Sequence, residues 1–149
     1  MRLMIYALLM LVFFSSEKTK AQTREIASSE WIVGYWVLDS AKTVEAMRVE
    51  ERNFTTEFER EDKNRIFGSL GTRTFLFSKE GVYLATWGNS IWVAKRKGSW
   101  ELFKNVLKIQ DETISREYRV TVIGDEGMVL EPVESRLGMF QKLYFEKKK

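Results

Sequence analysis

Short runs in which apolar and polar residues alternate, each closed by Gly, Asn or Asp, recur along most of this chain and constrain its fold more than any other feature. Residues two apart share one face of an extended strand, so such runs read as half-buried β-strands. Phe75 and Phe77 align in Arg73–Phe77, and Val82–Trp87 and Ile91–Lys95 follow. In Ser99–Leu102, Trp100 and Leu102 share a face, as do Leu107 and Ile109 beyond a turn at Lys104-Asn105. Arg116–Ile123 aligns Tyr118, Val120 and Val122, while Met128–Glu131 and Met139–Glu146 complete a series that starts at Trp31–Leu38. Turn chemistry separates the runs at Lys79-Glu80-Gly81, Gly88-Asn89-Ser90, Gly98 and Gly124-Asp125-Glu126-Gly127. A single proline, Pro132, leaves nearly every strand able to donate along both edges.

Strands that follow one another through tight turns pair with their sequence neighbours, and closing that meander removes its exposed edges. The predicted fold is all-β: an antiparallel up-and-down barrel of about eight strands, with a flattened sandwich as the alternative. One stretch departs from the alternation. Val44, Met47, Phe54 and Phe58 fit a helical face, and Asp39-Ser40 can cap a helix there. The spacing predicts a short helix within residues 41–62, with a helix or irregular segment over Ala41–Arg52 and then a strand near Phe54–Arg60. Gly68-Ser69-Leu70-Gly71 reads as a loop.

The first residues are read apart from the fold. After Met1-Arg2 come twelve residues, Leu3–Phe14, without a charge. A helix needs about 20 apolar residues to cross a bilayer, so this run has the length of a leader's hydrophobic region. Thr19 and Ala21 are small residues suitably placed for a cut ahead of Gln22. The expected organisation is a signal peptide over residues 1–21, a linker over 22–30 and the barrel over 31–149. An uncleaved anchor is the rival, with Lys18 and Lys20 following the run. There is no cysteine to carry a lipid anchor, so the expected location is periplasmic or extracellular.

Composition removes whole classes of chemistry. The chain has no Cys and no His, which excludes disulfides, thiolate and imidazole metal sites, and every His-dependent triad. Neither a metal nor a cofactor is expected. Glu57, Glu59, Glu61 and Asp62 are crowded together, but interleaved with Arg60 and Lys63 they read as a solvated edge. Asp125-Glu126 reads as part of its turn. No catalytic residues are assigned, and the chain is expected not to be an enzyme. Without residues 1–21 the chain keeps 21 basic and 20 acidic residues, a net +1, too little for a broad nucleic-acid footprint. Lys95-Arg96-Lys97 reads as a solvated turn and Lys147-Lys148-Lys149 as a solubilising tail.

Gly34-Tyr35-Trp36 and Gly98-Ser99-Trp100 carry the Gly-x-Trp pattern, with Thr74–Tyr83 between them and Glu101–Ile109 after the second. This order, behind a leader and before a closing aromatic strand, resembles the small lipocalin-like domain of secreted bacterial proteins. The resemblance spans about Trp31 to Lys148. It implies a barrel with a structural role for Gly34, Trp36, Gly98 and Trp100, and a cation stacked on the first-strand Trp, for which Lys142 or Arg136 are candidates. It also implies a small hydrophobic or amphipathic ligand held in the barrel.

Ile32, Gly34, Trp36 and Leu38 fall on one strand face, which makes Trp36 a packing residue under any family assignment. The opposite face, Trp31, Val33, Tyr35 and Val37, is apolar too and needs cover. Trp87 and Trp92 flank the Gly88-Asn89 turn, where they serve either as cross-strand pairs or as an aromatic rim at a barrel mouth. Under the second reading Trp87, Trp92, Phe75, Phe77 and Tyr118 are the ligand-binding candidates, with residues 41–65 as a lid. The expected function is an exported, non-catalytic carrier of a small ligand, without stable membrane insertion once the leader is gone. The alternative is an envelope or secreted protein-interaction module whose large inward residues fill the barrel.

N-terminal sequencing of the protein from its producing cell should find a soluble form beginning at Gln22. A protein still beginning at Met1 in the membrane fraction would contradict the leader reading.

Overall fold

The structure, a computed structural model, describes residues 28–47, 68, 70–89, 91–134 and 140–149. Eight strands follow one another: β1 (Gly34–Leu38), β2 (Thr74–Phe77), β3 (Val82–Gly88), β4 (Val93–Phe103), β5 (Val106–Gln110), β6 (Ser115–Ile123), β7 (Gly127–Pro132) and β8 (Leu143–Lys148). Every strand pairs antiparallel with its sequence neighbour, and β1 pairs with β8 to close the ring. The chain is thus an all-antiparallel, up-and-down closed barrel of eight strands, and not a sandwich.

The period-two pattern places the core. Phe75 and Phe77 of β2, Tyr83 and Ala85 of β3, Leu107 and Ile109 of β5, and Tyr118, Val120 and Val122 of β6 all turn inward and are buried. Met128 and Leu130 of β7 and Leu143 and Phe145 of β8 complete the lining. The two ends differ. The β2–β3, β4–β5 and β6–β7 turns lie at the base, with both chain ends of the barrel. The β1–β2, β3–β4, β5–β6 and β7–β8 connections form the mouth.

Both Gly-x-Trp motifs sit at the base. Trp36 is fully buried and donates its indole N–H to the Ile32 carbonyl at 2.7 Å. The Trp100 indole N–H donates to the Ser78 carbonyl at 3.0 Å, and its ring meets Phe77 edge-on at 5.6 Å. Each glycine leaves a slot for a side chain from the neighbouring strand. A Cβ on Gly34, at φ +136°, would lie 2.7 Å from Lys147 Cε. A Cβ on Gly98 would lie 2.7 Å from the Tyr83 ring and 2.1 Å from the Gln110 carbonyl oxygen.

Several expectations are corrected. Gly98 is not a turn; it lies inside the eleven-residue β4, opposite Tyr83, because its missing side chain admits that ring. The runs at Ile91–Lys95 and Ser99–Leu102 are therefore one strand. The first strand begins at Gly34, not Trp31. Residues Ser29–Trp31 form a 3₁₀ turn capped by Ser28, which folds Trp31 under the base, 5.0 Å from the Trp36 ring. Trp31 and Val33 therefore pack on the core and need no partner as cover. The last strand is Leu143–Lys148, displaced from Met139–Glu146.

The helix appears over Ser40–Glu45 (α1), with the Asp39 carboxylate accepting from the Lys42 N–H at 3.0 Å. It docks on β8: the buried Thr43 hydroxyl accepts from the Tyr144 N–H at 3.1 Å, and Lys42 bridges Asp39 and Glu146. The strand expected at Phe54–Arg60, the acidic cluster beside it and most of the expected lid lie outside the described residues.

Trp36→Ala and Trp100→Ala should each cost about 3–5 kcal/mol, the usual consequence of truncating a buried large aromatic. Urea denaturation measures this. Variants that unfold at the parental midpoint would show that the two indoles do not hold the base.

Candidate functional site

Along the barrel axis the interior changes from filled to open. Trp36, Phe77, Trp100, Leu107, Val120, Met128, Leu130 and Phe145 pack the base and middle. Toward the mouth a cavity of about 250 Å³ opens, walled by Phe75, Tyr83, Ala85, Trp87, Ile109, Ile114, Tyr118 and Leu143. Three arginines join that wall: Arg73, Arg96 and Arg116. Each shares strand parity with inward residues, Arg73 with Phe75, Arg96 with Gly98 and Trp100, and Arg116 with Tyr118. A rim recess of about 260 Å³ between β6 and β7 shares Arg116 and Tyr118 with the cavity.

The arginines are not equivalent. Arg96 lies with its guanidinium 5.6 Å from the Trp87 ring centre and its Nε 3.3 Å from an Asp111 carboxylate oxygen. The Tyr83 hydroxyl donates to that same oxygen at 3.1 Å. The other Asp111 oxygen accepts from the Thr113 N–H at 2.7 Å, the Ile114 N–H at 2.9 Å and the Thr113 hydroxyl at 2.9 Å. One carboxylate thus ties down the β5–β6 turn, the Tyr83 hydroxyl and Arg96. Burial pushes the Asp111 pKa up, but the hydrogen bonds from Thr113, Ile114 and Tyr83 outweigh it and hold the value at about 2. Tyr83 moves the other way, to about 12, through burial first and then its bond to Asp111. Among the described residues, the guanidiniums of Arg73 and Arg116 have no hydrogen bond or ion pair, and no acidic side chain lines the cavity.

The residues expected to bind a ligand are divided by this geometry. Phe75, Tyr118 and Trp87 line the cavity together. Phe77 lies deeper, stacked 5.4 Å from Phe75 and against Trp100, as part of the filled base. Trp92 is 38% exposed on the β3–β4 hairpin, outside the cavity wall. Of the cations expected beside the first-strand Trp, Lys142 pairs instead with Glu131 at 3.4 Å, and Arg136 lies outside the described residues. Lys147 takes that place, 5.4 Å from the Trp36 ring centre, donating to the Trp31 carbonyl at 2.7 Å.

Both basic triplets were misread for one reason. Strand alternation sends one residue of each inward, Arg96 from the middle of the first and Lys147 from the start of the second, while the lysines beside them face out. The same parity, counted from Phe75 and Tyr118, would have marked Arg73 and Arg116 as lumen residues.

A larger groove of about 560 Å³ lies outside the barrel, along β7, β8 and α1. Its charges neutralise one another: Lys42 with Asp39 and Glu146, Lys148 with Glu146, and Lys149 with Glu126. The mouth is where cations remain uncompensated beside aromatic walls. Among the described residues, no group of three or more His, Cys, Asp or Glu could hold a metal ion. No family model, curated protein or solved structure matches this chain significantly.

Asp111 generates a pH prediction. Its folded pKa lies below the ordinary 3.8, so its contribution is present above about pH 4 and is lost as pH falls toward about 2. Asp111→Asn should melt below the parent near neutral pH, with the difference shrinking toward pH 2. A constant gap in circular-dichroism melts across that range would remove Asp111 as the tie.

Proposed function

We propose that this is an exported, non-catalytic, lipocalin-like binding protein that takes a small amphipathic ligand into the barrel mouth. The observation that supports it is the change in the lumen from a filled aromatic base to a cavity whose walls are largely aromatic and aliphatic and whose charged groups are all cations. Ligand sites combine such walls with a few placed polar groups. The volume of about 250 Å³ falls just under the usual range of about 300–1,000 Å³, which favours a compact ligand or the end of a longer one. Export is the proposal's sequence-based part, carried by residues 1–21 and the resemblance to secreted lipocalin-like domains.

A second reading, a protein-interaction module using the outer surface, draws on different features. The base and middle of the barrel are filled, and Ile91, Val93 and Phe103 are 90%, 64% and 74% exposed on hairpins at opposite ends.

Trp87 supplies the readout that separates the two. Ligand entering the mouth displaces water beside its indole, so parental fluorescence should shift or quench saturably with a short-chain amphiphile. Trp87→Phe should lose most of that response. A parent without any saturable change across alkyl and aryl amphiphiles would leave the interaction module as the better account.

A further inference from the structure

An eight-strand ring places β2 and β6 opposite each other, so Arg73, just ahead of β2, and Arg116, on β6, belong to facing walls of the lumen. Between them, on β4, Arg96 is already neutralised by Asp111. That leaves two guanidiniums at one cavity with no carboxylate partner among the described residues.

This arrangement is costly for an empty barrel. A cation partly withdrawn from water, as the half-buried Arg73 is, is normally paired, and the exposed Arg116 facing it across the mouth adds a second like charge. Burial disfavours the charged form of Arg73, and Arg116 disfavours it further. Packing does not account for the pair either, since an apolar side chain at each position would extend the core already begun by Phe75 and Tyr118. An anion held between the two would relieve both costs. Guanidinium is suited to the task, because its rigid fork meets two oxygens of one oxyanion at once.

We propose that the mouth selects amphipathic oxyanions: a carboxylate or phosphate head held across the lumen by Arg73 and Arg116, with a short apolar body against Phe75, Ile109, Tyr118 and Leu143. The inference rests on the binding function proposed above and adds the charge of the ligand. Asp111 fits the same scheme. By holding Arg96 and the Tyr83 hydroxyl, it keeps one wall fixed and leaves the facing pair as the unsatisfied charge.

Calorimetric titration of the purified protein with octanoate, octyl phosphate and octan-1-ol, at about 20 mM salt, tests the proposal. The expected result is that at least one anion binds tenfold or more tighter than the alcohol, the scale of a charge-assisted hydrogen bond. Comparing the two anions distinguishes a carboxylate from a phosphate head. Arg73→Gln and Arg116→Gln should each weaken the preferred anion about tenfold and leave the alcohol unchanged, with melting curves confirming that both variants fold. Should either Gln variant fail to fold, Arg73→Lys and Arg116→Lys keep the charge and lose the fork, so they should still weaken anion binding severalfold. Added salt should weaken the anion and not the alcohol.

Equal affinity for anion and alcohol would overturn the anion preference and leave the binding function standing. Anion binding unmoved by the substitutions would also overturn it, by placing the anion elsewhere. If none of the three compounds binds, the binding function fails together with the inference.

Discussion

Closure of β1 on β8 is the constraint on which the rest of the barrel depends. An open meander of this length would expose two edges, and only the β1–β8 ladder removes them. The seam is sealed at the base by Trp36 and Lys147, which are directly opposed in the register. Gly34 leaves the slot, the Lys147 stem fills it, and its ammonium reaches the Trp31 carbonyl beneath the two indoles. Burial lowers the Lys147 pKa, so its charge is held there by that carbonyl, the aromatic faces and the more distant Glu126. The 3₁₀ turn before β1 matters for the same reason, because it delivers both Trp31 and the Ile32 carbonyl that accepts the Trp36 N–H.

A base sealed in this way leaves the mouth as the end where the lumen can open. Closely packed side chains fill the bottom, while at the top the small Ala85 and three arginines stand among the aromatic walls. The cavity stays open because Ala85 is small and because the arginines, with long polar side chains, do not pack as a hydrocarbon core would. With no Cys in the chain, the mouth is anchored by hydrogen bonds and not by a disulfide. Asp111 pins the β5–β6 turn, and the Thr72 hydroxyl both accepts from the Gly88 N–H at 2.9 Å and donates to its carbonyl at 2.6 Å. These ties hold the walls while the positive charge of Arg73 and Arg116 remains available, and together they support the proposed ligand chemistry.

Much of the fold was legible from one-dimensional features. Alternation, turn residues and a single proline marked most of the strands and their antiparallel order, and made a barrel of about eight strands the expectation, with a sandwich as the alternative. The same alternation identified Phe75, Phe77, Tyr118, Val120 and Val122 as inward-facing. Where it failed, a local signal was taken at face value. Gly98 resembles a turn residue by type, but its role depends on a tyrosine ring from the adjacent strand. Trp31 alternates with Val33, but its backbone is already turning.

What the sequence by itself determined is therefore the periodicity: which residues can share a face, and that neighbouring strands pair. Which end of the lumen is filled, and which cations face each other across it, only the tertiary structure decided. Arg73, Arg96 and Arg116 are far apart along the chain, and their juxtaposition depends on ring closure and on the stagger of eight strands. Lys147 beside Trp36 depends on the same closure. Such relations are set by the three-dimensional register, which no local pattern encodes.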